Sequence, residues 1–179
     1  KLLTLTALTA FSLQLCAAEQ KVGIVNFSSC IVDSKLGKQE QNAFETMHKQ
    51  LVSLIEDKNK QFQEASNNLE DKDYLDGLSK EAEDQLRAKK EQLGEELARD
   101  QQQYYQLMHQ GQNKIMKTVF GGISQAAEQI ASAKGYQLII NKEACFFSSP
   151  SIDVTNDIIK TMDQNFDAEE SKQAEKTKN

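Results

Sequence analysis

The stretch that decides the fold is Ser79 to Gly135, SKEAEDQLRAKKEQLGEELARDQQQYYQLMHQGQNKIMKTVFGGISQAAEQIASAKG. Its apolar stripe follows positions 82, 86, 89, 93, 97, 101, 104, 108, 111, 115, 119, 122, 126, 130 and 133. The mean step is about 3.64 residues, close to the 3.6 of a straight α-helix. Lys89, Gln101, Gly111 and Gly122 are its weak positions. A strict heptad would supercoil left-handed, whereas this spacing keeps the rod nearly straight over roughly 80 Å. Ser79 is a good N-cap, with Glu81 and Glu83 in the first turn where the helix dipole favours acids. Lys134-Gly135 closes the helix with the glycine that a left-handed C-terminus prefers.

Working outward, the preceding segment carries a second rod. Phe44, Met47, Leu51, Leu54, Ala65 and Leu69 fall on one stripe, which lapses at Lys58 and Gln61, while Val52, Ile55 and Phe62 form an adjacent one. The polar cluster from Glu70 to Gly77 signals the turn between the rods. Residues 36–134 are therefore expected to form a long antiparallel helical hairpin, a coiled-coil arm. Gly37 is expected to separate it from a short helix starting near Cys30 and capped by a serine of Phe27-Ser28-Ser29.

Short apolar segments flank the arm. Lys21 to Asn26 reads as a strand rich in β-branched residues. Tyr136 to Asn141 reads as another, and Glu143 to Ser148 as a third, closing a hairpin through Asn141-Lys142. Pro150 breaks the pattern, and a last helix begins near Thr155 with Val154, Ile158, Met162 and Phe166 on one face. Residues 167–179 lack large apolar groups and read as a disordered tail. The expected fold is mostly α, with the arm inserted into a small β body made of residues 19–35 and 135–166. Three short strands make a marginal sheet, so chains are expected to pool them by oligomerising.

Lys1 to Ala18 resembles an export signal: one lysine, an apolar run to Leu15, then Cys16-Ala17-Ala18 with small residues at a cleavage site. Cleavage after Ala18 would leave a chain starting at Glu19. The rival reading is acylation at Cys16, which would make the protein a lipid-anchored structural or tethering component of the cell envelope. After cleavage Cys30 and Cys145 remain, either as buried free thiols or as a disulfide.

Net charge is −6, which argues against a nucleic-acid partner. The arm contributes to it: between Glu45 and Gln110 nine Lys or Arg face fifteen Asp or Glu, read as a solvated face. The two histidines, His48 and His109, lie at different heights of the hairpin, with Glu45 and Asp100 the carboxylates nearest His48. No nucleophile elbow, phosphate loop or dinucleotide fingerprint is present. The expectation is a non-enzymatic protein with no metal or cofactor. Its arm offers Val52, Ile55, Phe62, Tyr105 and, at the tip, Tyr74 as a loose apolar lining for weak contacts, or as a widening of the hairpin's own seam.

Together these pieces resemble the Skp/OmpH family of periplasmic chaperones. The resemblance spans about Lys21 to Phe166 and rests on Lys21-Val22-Gly23-Ile24-Val25-Asn26, Leu78-Ser79-Lys80-Glu81-Ala82, Lys134-Gly135-Tyr136-Gln137-Leu138-Ile139-Ile140 and Ser149-Pro150-Ser151-Ile152-Asp153-Val154-Thr155-Asn156-Asp157-Ile158-Ile159. It implies a jellyfish-like homotrimer whose arms enclose unfolded outer-membrane proteins in the periplasm without a nucleotide, with room for peripheral membrane contact. Val22, Ile24, Leu138, Ile140 and Phe146 would build the trimeric body. Well-known members have basic arms and a proposed lipopolysaccharide site of basic residues; these arms are acidic, so that site is carried over to no residue here.

Overall fold

The structure, a computed structural model, describes residues 20–177. The export signal, its cleavage point and Cys16 lie outside the described residues. The elements run β1 (Val22–Val25), α1 (Phe27–Asp33), α2 (Lys35–Glu70), α3 (Lys72–Asp76), α4 (Lys80–Lys134), β2 (Leu138–Asn141) and α5 (Thr155–Thr177). Two 3₁₀ turns, Lys142–Ala144 and Pro150–Ile152, lie between β2 and α5.

The long hairpin forms as its patterning requires. The Ser79 side chain accepts from the Ala82 amide at the start of α4, and Gly135 ends it at φ 73°. At the tip, Asp71 accepts from the amides of Asp73 and Tyr74, which starts α3 inside the turn. The base of α2 differs from the expectation. Asn26, not a serine, caps α1 by accepting from Ser29, and the break before α2 falls at Ser34 rather than Gly37. Ser34 is wholly buried; its hydroxyl donates to the Cys30 carbonyl at 2.6 Å and accepts from the Gly37 amide at 3.0 Å. Gly37 serves a different purpose: a Cβ there would sit 2.1 Å from the Ile31 carbonyl oxygen, so only glycine lets α2 leave this close to α1.

The expected third strand at 143–148 is absent. After β2 the Asn141 side chain accepts from the Glu143 amide and caps a 3₁₀ turn, which diverts the chain away from a hairpin. Among the described residues the sheet has two strands, β1 and β2, paired in parallel with Val22 opposite Leu138 and Val25 opposite Asn141. Parallel neighbours need a long crossover, and here the whole arm is that crossover. The other side of β1 meets one residue, Asp153, through a single bridge at Ile24, with the Val154 amide donating to the Ile24 carbonyl at 2.9 Å. The tail also differs: α5 continues to Thr177, and residues 167–176 are exposed. Ala, Glu, Lys and Gln supply enough helix propensity there to extend an anchored helix without an apolar face.

The core sits at the base. Val25, Cys30, Val119, Ile123, Ala126, Ile130, Val154, Ile158 and Met162 form one buried cluster. The last third of α4 thus belongs to the body as much as to the arm. At Gly122 a Cβ would meet Leu36 at 2.8 Å and Met162 at 3.3 Å, so this glycine sets the approach of α2 and α5 to α4.

Candidate binding surfaces of the arm and body

The arm has almost no interior. Along α2 only Gly37, Ala65 and Ser66 are buried, and on the outer part of α4 only Leu93. The seam of α2 departs from the expected stripe at its centre. Leu54 is exposed, whereas Ile55 and Phe62 are half-buried and take part in the hairpin's own packing. The Phe62 ring covers Gly94, 3.4 Å from where a Cβ would stand, with Lys90 above its face at 5.7 Å.

The expected lining residues are not gathered into one site. Val52, Ile55 and Tyr105 share an open cleft of about 310 Å³ with Glu56, Gln101 and Tyr104. Tyr105 is 72% exposed and meets Tyr104 edge-on, with ring centroids 5.6 Å apart. Tyr104 in turn shares a 3.0 Å hydrogen bond with His48 Nε2, which fixes that wall. Phe62 belongs to a separate groove nearer the tip, with Leu69, Arg87 and Lys90. Tyr74 lies on α3 at the tip, 43% exposed and outside both clefts. A third cleft, about 290 Å³, opens closer to the body where the Phe44 ring lies against Gly111; its walls include Met47, Leu107 and Ile115, and the Glu40–Lys114 ion pair spans it. Sequence reasoning missed this cleft, although a glycine on the seam at 111 marked it.

Polar chemistry fills the lapse at Lys58. Its Nζ lies 2.6 Å from Asp100 and 3.0 Å from Glu96, so the two helices are joined by ions where the apolar stripe fails. Hydrogen bonds to Asp100 and then Glu96 push the Lys58 ammonium above its ordinary pKa. Glu96 is held below the carboxylate range by Gln92 first and Lys58 second. Asp100 and Glu45, the carboxylates near His48, are both taken up by lysines, Lys58 and Lys49. Among the described residues no group of His, Cys, Asp and Glu is placed to hold a metal ion.

In the body, Ile24 is fully enclosed by its own chain and Val22 and Ile140 are half-buried, but Leu138 is 51% exposed and Phe146 and Phe147 are almost bare. Val32, Met116 and Phe120 are exposed as well; the last two follow seam positions 115 and 119 by one residue. Cys30 and Cys145 are free thiols. Burial, reinforced by Asp33 and Asp153, pushes Cys30 up to about 11, which leaves it protonated and inert. No described helix is long and apolar enough to cross a membrane.

The sequence family described as "Outer membrane protein (OmpH-like)" matches residues 21–162. A "Skp-like protein" of Chlamydia muridarum is 32% identical over 165 residues, covering 92% of this chain and 95% of the relative. A "Skp-like protein" of Chlamydia pneumoniae is 34% identical over 150 residues, covering 84% and 88%. Among solved structures, a crystal structure described as a candidate outer membrane chaperone (OmpH-like) from Caulobacter crescentus superposes with a TM-score of 0.69 at 17% identity, covering 83% of this chain and 86% of the other. That likeness shows a shared fold.

Proposed function

The chain belongs to the Skp/OmpH family, and from that premise we propose that it is a periplasmic chaperone which holds unfolded outer-membrane proteins and keeps them from aggregating. The observation that carries this reading is the arm: two long helices with almost no interior, whose apolar residues line shallow, half-open clefts. Val52, Ile55 and Tyr105 in one cleft, Phe62 in the next and Tyr74 at the tip offer separate small apolar contacts. Such contacts are individually weak and tolerate many sequences, which suits a holdase better than a specific receptor. Binding of this kind uses surface already exposed, so the proposed cycle involves no nucleotide and no cofactor.

The working unit is a homotrimer. Its bodies meet through Leu138 and Phe146, with Val22 and Ile140 behind them, and the arms enclose a shared space. The acidic arms slow the capture of acidic clients and leave apolar contact as the main attraction. The test uses purified mature protein, an unfolded porin diluted from denaturant, and light scattering. Suppression of aggregation near one trimer per client, without nucleotide, is the expected result. Undiminished scattering at excess trimer sinks the proposal.

A further inference from the structure

Midway along the arm, where the apolar stripe of α2 lapses, a cluster of three charged side chains joins the two helices. Toward the body, Phe44 and Met47 pack on Gly111. Toward the tip, Phe62 packs on Gly94, and Ala65 and Leu93 are buried. Between these two blocks Ile55 and Tyr104 are half-buried, and Lys58 bonds across the hairpin to Asp100 and Glu96, side chains 22%, 18% and 24% exposed. Gln61 and Gln101, which flank it on the two stripes, point to solvent.

We infer that the Lys58–Glu96–Asp100 cluster is a clasp dividing the arm into two independently packed blocks, so that the outer block opens while the inner one stays closed. The glycines in the second half of α4 do not compete for this role. Gly111 and Gly122 are filled positions where Phe44 and Leu36 approach closely, and Gly121 lies beside the body core. An apolar seam transmits packing from one turn to the next, whereas a largely covered ion cluster contributes little net stability once desolvation is counted. Its loss is nevertheless costly. Glu96 and Asp100 are four residues apart on one helix face, and without Lys58 two like charges face the seam with no cation between them. The inference concerns the mechanics of the arm and stands whether or not the chaperone reading does.

Hydrogen exchange on the full-length mature protein tests it. Lys58→Met removes the charge but keeps the chain length. It is expected to speed exchange about tenfold in residues 61–95 while residues 41–54, 104–116 and the body keep wild-type protection. Replacing the whole cluster, Lys58→Met with Glu96→Met and Asp100→Leu, joins the blocks by apolar contact and is expected to return the outer block to wild-type protection or slower. Three results overturn the inference: unchanged exchange in Lys58→Met, acceleration spread evenly along the arm, or failure of the triple replacement to restore the outer block. Protection of the body serves as the internal measure that each variant has folded.

Discussion

Gly37→Ala should be among the most damaging single substitutions in the molecule, although alanine is the better helix former. The added Cβ would stand 2.1 Å from the Ile31 carbonyl oxygen, 2.7 Å from its carbon and 2.9 Å from the Cys30 oxygen. Carbon–oxygen contacts in proteins close to no less than about 3.3 Å, so α1 and α2 must separate by roughly 1 Å. No rotamer relieves the clash, because all three atoms are backbone. Overpacking of this kind costs about 1–3 kcal/mol, with backbone clashes at the upper end. Against it stands a helix-propensity gain of at most ~1 kcal/mol. A net loss of about 2 kcal/mol follows, a large part of the ~5–15 kcal/mol that holds an ordinary domain together. The shift would also pull apart the Ser34 relay between Cys30 and Gly37. Urea unfolding at one fixed protein concentration measures it, since association would otherwise shift the midpoint. Gly121→Ala is the matched control: nothing lies within 4 Å of its Cβ, so it should stabilise by up to ~1 kcal/mol. If Gly37→Ala matches or exceeds wild type, the α1–α2 junction is not packed as described, and the direction in which the arm leaves the body loses its explanation.

Tyr105→Ser, at a largely exposed ring, should change stability by no more than about 0.5 kcal/mol; in the porin scattering assay it should weaken suppression about threefold, as loss of an aromatic anchor does. Phe146→Asp with Phe147→Asp should weaken self-association by about tenfold or more in sedimentation, because both rings are bare in one chain and a charge there opposes any apolar contact. Asp153 accepts from the Thr155 amide at 2.9 Å and caps α5, so Asp153→Ala should lose about 1 kcal/mol at neutral pH. Thr155 first, and Lys142 after it, hold that carboxyl below its usual pKa. Its contribution is thus complete above the unfolded value of about 3.9 and fades as pH falls through the lower folded value. Urea midpoints of wild type and Asp153→Ala should converge in that acid window, and Asp153→Asn should keep the cap without the pH dependence.

The long elements were legible because their signals are local. The period of about 3.6 over α4, the Ser79 cap and the Gly135 stop each depend on neighbours a turn away. What failed to read depends on distant partners. Residues 143–148 have the composition of a strand but do not fold back along the open edge of β2. Asn141 then turns the chain with its side chain, a choice that composition does not reveal. Gly37 looked like a helix breaker because a single sequence cannot show that the Ile31 backbone fills the space its side chain would need. The site was legible in part for the same reason. Val52, Ile55 and Tyr105 come together because they lie on facing stretches of the two helices. Phe62 and Ile55, in contrast, moved onto the seam. The lapse at Lys58 was visible as a gap, but its meaning required Glu96 and Asp100 on the opposite helix.

The body and the arm pose one physical problem at two scales. In the body, β2 is paired with β1 alone among the described residues, so its other edge presents free backbone groups beside the exposed Leu138. An uncovered edge is a template for association, and soluble proteins rarely leave one open. In the arm, apolar side chains are spread thinly over a long surface instead of being collected in a core. The first feature favours a strong, fixed contact: backbone pairing and aromatic burial reward one geometry. The second favours the opposite, because clefts about 15 Å apart along α2, at about 1.5 Å per residue between Val52 and Phe62, reward no single partner shape. On the proposed function, such a chain keeps the residues that would choose a permanent partner apart from those that would meet transient ones, the first beyond the C-terminus of α4 and the second along the arm. Substitutions at Phe146 should therefore alter assembly without touching the clefts, and substitutions at Tyr105 should do the reverse.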